Sequence, residues 1–186
     1  MKCVVAITGA SGSIYAQRLL AVLDETGAEV AVCLSAHARE VAAAETGALA
    51  IPERFPVADD RTMQVPFVSG SARIDAMVVV PCSMGTVGRI AHGYSDSTIT
   101  RAADVFLKEK RKLILVPRET PWNLIQARNI VTVMEAGAVV LPAIPSFYGR
   151  PSSVEEVADT VVARILDHLG VEHALARRWK QAAPAE

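Results

Sequence analysis

The hexapeptide Val116-Pro117-Arg118-Glu119-Thr120-Pro121 puts a guanidinium, a carboxylate and a hydroxyl side by side, directly after the apolar run Leu113 to Val116. The two prolines restrict the backbone on either side. An arginine held beside a carboxylate can bind an anion and move a proton. The C-terminal ends of strands are where open α/β sheets bind ligands. Taken alone, the stretch is better explained as a salt-bridged surface turn. Other turns of the chain carry matching chemistry and alter that balance.

Thr8-Gly9-Ala10-Ser11-Gly12-Ser13 joins an apolar run to a helical pattern. Its glycines let backbone amides approach a ligand, and a helix start favours negative charge, so a phosphate is the natural guest. The spacing is not that of a dinucleotide fingerprint. Ser35 stands where an acidic residue would close the second strand, so a mononucleotide fits better than a nicotinamide dinucleotide. Ser35 is an N-cap and, as a strand-end hydroxyl, can touch the same ligand. His37 reads as a solvated first-turn residue. Glu45 falls in the last turn of its helix, where a carboxylate opposes the dipole by ~0.3–1 kcal/mol. That points to a use elsewhere, across a subunit contact.

Pro81-Cys82-Ser83-Met84-Gly85-Thr86 is a further strand-to-helix turn, with two hydroxyls and a glycine for polar ring edges or phosphate. Arg101 and Lys108 are seven residues apart, on one helix face about 10 Å from each other. They suit a solvated face or a groove for anions. Pro145-Ser146-Phe147-Tyr148 is a proline-stiffened loop that can cover an apolar ligand, with Tyr148 donating to a phosphate oxygen. Arg164 lies in the final helix near its apolar stripe, where it needs an anionic partner or must snorkel. Trp179, in a polar tail, suggests docking on another surface.

The elements that must position these groups follow from hydrophobic period. Strands are expected over Lys2 to Thr8, Val30 to Leu34, Ala76 to Val80, Leu113 to Val116 and Ala138 to Leu141. Helices are expected from Ile14 to Gly27, Ser35 to about Glu45, around Ile99 to Phe106, Leu124 to Met134, and Val154 to Gly170. The last follows a capping-box pattern within Ser152-Ser153-Val154-Glu155-Glu156. Residues 48 to 75 read as loop with one short strand. Strands that are continuous apolar runs alternating with helices indicate a parallel sheet covered on both faces. One doubly wound α/β domain over residues 1–186 is expected, frayed after about residue 180.

Bulk numbers set the outer bounds. The chain has 186 residues, 51% of them hydrophobic, with 19 basic and 20 acidic residues and a net charge of −1. That balance gives no long-range pull toward nucleic acid or an anionic membrane. No apolar run approaches the ~20 residues of a membrane helix. Cys3, Cys33 and Cys82 form no metal pattern and no disulfide framework, which predicts a reduced, cytoplasmic protein with buried thiols. The N-terminal run is too short for a signal peptide.

Together, Thr-Gly-Ala-Ser-Gly at 8–12, Pro-Cys-Ser-x-Gly-Thr at 81–86, Arg-Ala-Ala-Asp-Val-x-Leu-Lys-Glu at 101–109, Pro-Arg-Glu-Thr-Pro at 117–121 and Pro-x-Phe-Tyr-x-x-Pro at 145–151 resemble the UbiX-type flavin prenyltransferase family. The match runs from Val4 to about Trp179, and the order and spacing of the motifs make it specific. The resemblance implies a three-layer Rossmann-like, flavodoxin-like domain that binds reduced FMN. It implies transfer of a dimethylallyl group from dimethylallyl phosphate to flavin N5 and C6, without a metal. The product, prenylated FMN, would serve a UbiD-type decarboxylase. Homo-oligomers, typically dodecamers, with sites at subunit contacts are also implied.

By motif, the resemblance assigns Gly9, Ala10, Ser11, Ser35, Ser83, Met84, Gly85, Thr86 and Arg118 to FMN. It assigns Arg101, Lys108, Arg118, Glu119, Tyr148 and Arg164 to the prenyl phosphate. Ser11, Glu45, Lys108 and Glu119 are its catalytic candidates, with Ser11 and Glu119 relaying protons and Lys108 and the arginines stabilising the departing phosphate. Glu45 would reach a neighbouring subunit's site. Departures are local: residues 46 to 65 are shorter than in many relatives, Gln126-Ala127-Arg128-Asn129 replaces a more usual His-Leu-x-Asn, and Met84 and Trp122 stand at variable positions. Two rival readings are an FMN-dependent decarboxylase of the same fold and a non-catalytic flavin carrier.

Overall fold

The computed structural model describes residues 1–175. Six strands form one all-parallel sheet in the order β3-β2-β1-β4-β5-β6. They are β1 Lys2–Ile7, β2 Glu29–Leu34, β3 Val57–Asp59, β4 Ala76–Cys82, β5 Lys112–Pro117 and β6 Val139–Val140. The helices are α1 Ser13–Glu25, α2 Ala36–Thr46, α3 Met84–Ala91, α4 Thr98–Lys108, α5 Leu124–Glu135 and α6 Val154–Leu169. The doubly wound expectation holds. β3 is the short strand expected between residues 48 and 75, and a single 3-10 turn, Pro66–Val68, follows it.

Period-two alternation divides the central strands between two cores. Cys3, Val5 and Ile7 face one core with α1 and α6, whereas Val4 and Ala6 face the other with α3, α4 and α5. All three cysteines are free and buried, as expected for Cys3 and Cys33. Burial pushes the Cys3 and Cys33 thiols up to about 12 and raises Cys82 further. These thiols are inert packing groups at neutral pH. A half-exposed Arg18 crosses from α1 to the buried Asp159 of α6, with both bonds at 2.7 Å.

Several boundaries differ from expectation. Pro117 belongs to β5, so the Arg118-Glu119 pair emerges directly from a strand. Edge strand β6 keeps only two residues. The cap of α6 is also displaced. Ser153 accepts from the Glu156 amide, but the Glu156 carboxylate bonds to Ser152 rather than returning to Ser153. Full capping boxes stand instead at α4, between Ser97 and Thr100, and at α5, where Asn123 and Gln126 exchange bonds at 3.0 and 2.9 Å.

Candidate functional site

The chain winds outward from β1 to β3 and then from β4 to β6, so the strand order reverses between β1 and β4. A crevice opens there at the strands' C-terminal ends. Thr8 stitches its floor: its hydroxyl donates to the Pro81 carbonyl at 2.8 Å and accepts from the Ser83 amide at 2.8 Å. Ser35 caps α2 through the Ala38 amide, and Ser83 caps α3 through the Thr86 amide. Ser83 also bonds the Thr86 hydroxyl at 3.0 Å. A cavity of about 510 Å³ lies over these helix starts, lined by Gly9, Ser35, Ser83, Thr86, Arg61 and Arg89 among others. Gly9 has to be glycine: a Cβ there would sit 2.4 Å from the Cβ of His37. His37 itself is exposed, with its ring 3.0 Å from Glu40.

Helix-start amides and hydroxyls fit the phosphate end of FMN; Asp60 and Asp96 also line the cavity, and Arg89 pairs with Asp96 at 3.4 Å. The start of α1, however, is already taken. The Glu45 carboxylate accepts from the Gly12 amide at 3.0 Å, the Ser13 amide at 2.9 Å and the Ser13 hydroxyl at 2.7 Å. Burial acts to raise its pKa, but hydrogen bonds from the Ser11 and Ser13 hydroxyls and from the two amides outweigh that and hold it below the ordinary glutamate value. Within its own chain, Glu45 is therefore held at the start of α1. Its place in the last turn of α2 is offset by the positive end of its own chain's α1. Glu45 thus occupies the Gly12-Ser13 end of the first turn, while Gly9, Ser35 and Ser83 line the cavity. Ser11 and Glu45 are brought together within one chain.

The Met84 side chain is buried in the core among α3, α4 and α5, and neither Met84 nor Gly85 lines the cavity. Ala10 is likewise buried. Arg61 and Arg89 line the cavity although the sequence reading did not single them out, because both sit in stretches without a motif.

The Arg118 amide donates to the Cys82 carbonyl at 3.2 Å, which ties the β5 turn to the β4 turn. A second cavity, of about 260 Å³, opens beside it, with Arg118, Glu119, Trp122 and Ile144 in its lining. The Glu119 carboxylate accepts from the Thr120 amide at 3.0 Å, and its carbonyl accepts the Trp122 indole N–H at 3.0 Å. Among the described residues neither Arg118 nor Glu119 enters an ion pair. The salt-bridged-turn explanation therefore fails, and both charges face outward. Burial raises the Tyr15 hydroxyl pKa, tempered by the Arg118 charge, so the arginine's field reaches α1.

The remaining sequence candidates do not converge on this turn within one chain. Tyr148 lines a separate hollow of about 220 Å³ with Ser146, Glu156, Thr160 and Leu175. Arg164 lies one turn past Thr160 on the same ridge of α6, exposed and bonded to Asp167 at 2.5 Å. Its anionic partner is thus on its own helix. Arg101 pairs with Asp104 at 3.2 Å and donates to the Val68 carbonyl. Lys108 pairs with Glu109 at 2.8 Å, beside Gly70. Helix α4 runs back from the crevice to the start of β5. Lys108 is therefore separated from Arg118 by roughly the length of that strand, about 17 Å. Trp179 lies outside the described residues.

Comparison with known proteins gives this arrangement its family. Residues 1–166 match the flavoprotein family model. The flavin prenyltransferase UbiX of Methanocaldococcus jannaschii is 45% identical over 183 residues, covering 96% of this chain and 98% of that one. The crystal structure of AnUbiX (PadA1) in complex with FMN and dimethylallyl pyrophosphate superposes with a TM-score of 0.91 at 38% identity, covering 97% and 98% of the two chains. A dodecameric FMN-dependent UbiX-like decarboxylase from Escherichia coli O157:H7 gives 0.90 at 37% identity, covering 97% and 100%. A crevice built for a phosphate, a free Arg-Glu pair beside it and similarity along nearly the whole chain agree: the chain belongs to the flavoprotein family and, within it, to the UbiX-type flavin prenyltransferases.

Proposed function

We propose that this protein transfers a dimethylallyl group from dimethylallyl phosphate to N5 and C6 of reduced FMN, yielding prenylated FMN for a UbiD-type decarboxylase. The observation that carries the reading is the adjacency, along one crevice, of a cavity lined by helix-start hydroxyls and the Arg118-Glu119 turn, which joins no ion pair among the described residues, in a chain similar to AnUbiX with FMN and dimethylallyl pyrophosphate. Reduced flavin would supply the nucleophilic nitrogen and carbon. Gly9, Ser35, Ser83 and Thr86 would hold its phosphate end, with backbone contacts from Ala10, Met84 and Gly85. Arg118 would bind both ligands. Glu119 would take or return a proton, and Ser11, bonded to Glu45, would relay another.

Ionising an allylic phosphate places negative charge on the leaving group, which fixed cations stabilise. Arg118, Arg101, Lys108, Arg164 and the Tyr148 hydroxyl would supply that field, with no metal. They stand apart in one chain, so the complete donor site would form where copies of the chain meet, in a homo-oligomer like the dodecameric relative. The balanced charge and reduced thiols support a cytoplasmic protein. Among the described residues no helix is long and apolar enough to cross a membrane.

The test is anaerobic incubation with reduced FMN and dimethylallyl phosphate, followed by flavin mass analysis. The expected product carries one added five-carbon unit, with phosphate released in equal amount. An unmodified flavin and no free phosphate would reject the reading. Turnover should persist unchanged in excess chelator; loss of activity that added divalent metal restores would reject the metal-free part alone. The decarboxylase alternative predicts carbon dioxide from an aromatic or cysteinyl acid by this protein without a partner enzyme.

A further inference from the structure

Trp122 is an exposed aromatic anchored on both sides. It is 40% exposed, yet its indole N–H is bonded to the Glu119 carbonyl. Pro121 precedes it, and the Asn123 capping box of α5 follows it directly. Ile144, 74% exposed, shares the same cavity. Its amide donates to the Pro142 carbonyl at 2.7 Å, and that of Ala143 donates to the Pro117 carbonyl at 3.0 Å. Neither side chain belongs to either core. Both project from segments hydrogen-bonded to the end of β5 or to the turn leaving it.

The cavity between them is amphiphilic. Arg118 and Glu119 supply its charged part; Trp122, Pro142, Ala143 and Ile144 supply its apolar part. That pattern suits a phosphate joined to a short hydrocarbon. The cavity holds about 260 Å³, with Trp122 and Ile144 in its apolar lining. We propose that Trp122, with Ile144, is the wall that sets the length of the prenyl donor, admitting a five-carbon tail and excluding a ten-carbon one. The inference rests on the prenyltransferase reading and adds a specificity-determining residue to it. One methylene in an apolar pocket changes selectivity roughly 10- to 200-fold, so a wall that stops five extra carbons should discriminate strongly.

The experiment compares dimethylallyl monophosphate with geranyl monophosphate. Calorimetric Kd values are measured on FMN-loaded and FMN-free full-length protein, and prenylated flavin is scored by mass. The wild type should favour the five-carbon donor by at least about tenfold. Trp122→Ala should shift the ratio toward the ten-carbon donor by about tenfold or more, whereas Trp122→Phe, which keeps an aromatic wall, should stay near wild type. Ile144→Ala is expected to move the ratio in the same direction and, as a truncation at an exposed site, covers the case in which Trp122→Ala does not fold. An unmoved ratio in the folded variants overturns the wall, even if wild-type protein makes prenylated flavin. A wild type that forms no product, but whose preference in binding is relaxed by Trp122→Ala, keeps the wall and overturns the transfer reading instead.

Discussion

Glu119 and Glu45 show how two carboxylates near one crevice take different roles. The Glu119 carboxylate is exposed, accepts from the Thr120 amide and joins no ion pair among the described residues. Glu119→Gln should retain FMN binding and slow prenyl transfer by about 10²- to 10⁴-fold in single-turnover assays; unchanged turnover would remove it from the mechanism. Glu45 is committed to the start of α1, and its lowered pKa has a definite sign. A depressed folded-state value contributes stability above the unfolded glutamate pKa, and that contribution fades as pH falls through the folded value. Glu45→Gln should therefore lower stability at neutral pH and flatten its decline below about pH 4.5, measured as urea midpoints from pH 3 to 7. Equal losses at both ends of that range would contradict the assignment.

At the scale of elements, the crevice depends on bonds between turns as much as on the turns themselves. Thr8 links the β1 turn to the β4 turn, and the Arg118 amide links β4 to β5. Thr8→Val keeps shape and removes the hydroxyl. The Pro81 carbonyl and Ser83 amide then lose a partner in a largely buried place, at a cost of about 1–3 kcal/mol. Denaturant midpoints should fall accordingly, and FMN affinity should fall with them because the Ser83 cap loses its anchor. A stability loss with unchanged FMN affinity would separate the stitch from the site.

The whole molecule presents the donor-phosphate candidates on separate surfaces. Arg118 and Glu119 lie at the crevice, Tyr148 lies with α6, and Lys108 lies toward the opposite end of the strands. If sites form only where copies meet, two inactive variants can complement each other. Mixed oligomers of Glu119→Gln and Lys108→Ala chains should regain a fraction of wild-type activity after dissociation and reassembly together. Each variant reassembled alone should stay inactive. No recovery in verified hybrids would place both residues in one chain's site.

Period and composition alone determined the doubly wound sheet, because continuous apolar runs alternating with helices leave few other ways to bury both faces. The strand-end turns were legible for the same reason: glycine, proline and cap residues are local signals, and Ser35 caps α2 as its sequence context predicts. Glu45 was visible as an anomaly, but its partner was not. A carboxylate 33 residues from Gly12 meets it only because β2 pairs with β1 and brings α2 beside α1. Met84 looked like a ligand residue from its motif, yet helix phase turned its side chain into the core. Arg118 and Glu119 follow the end of β5, as the apolar run before them implies, but only the folded chain shows that neither charge enters an ion pair among the described residues. Local chemistry is written in neighbouring residues; which charges stay free, and which helix start is already neutralised, is decided by contacts between segments far apart in the chain.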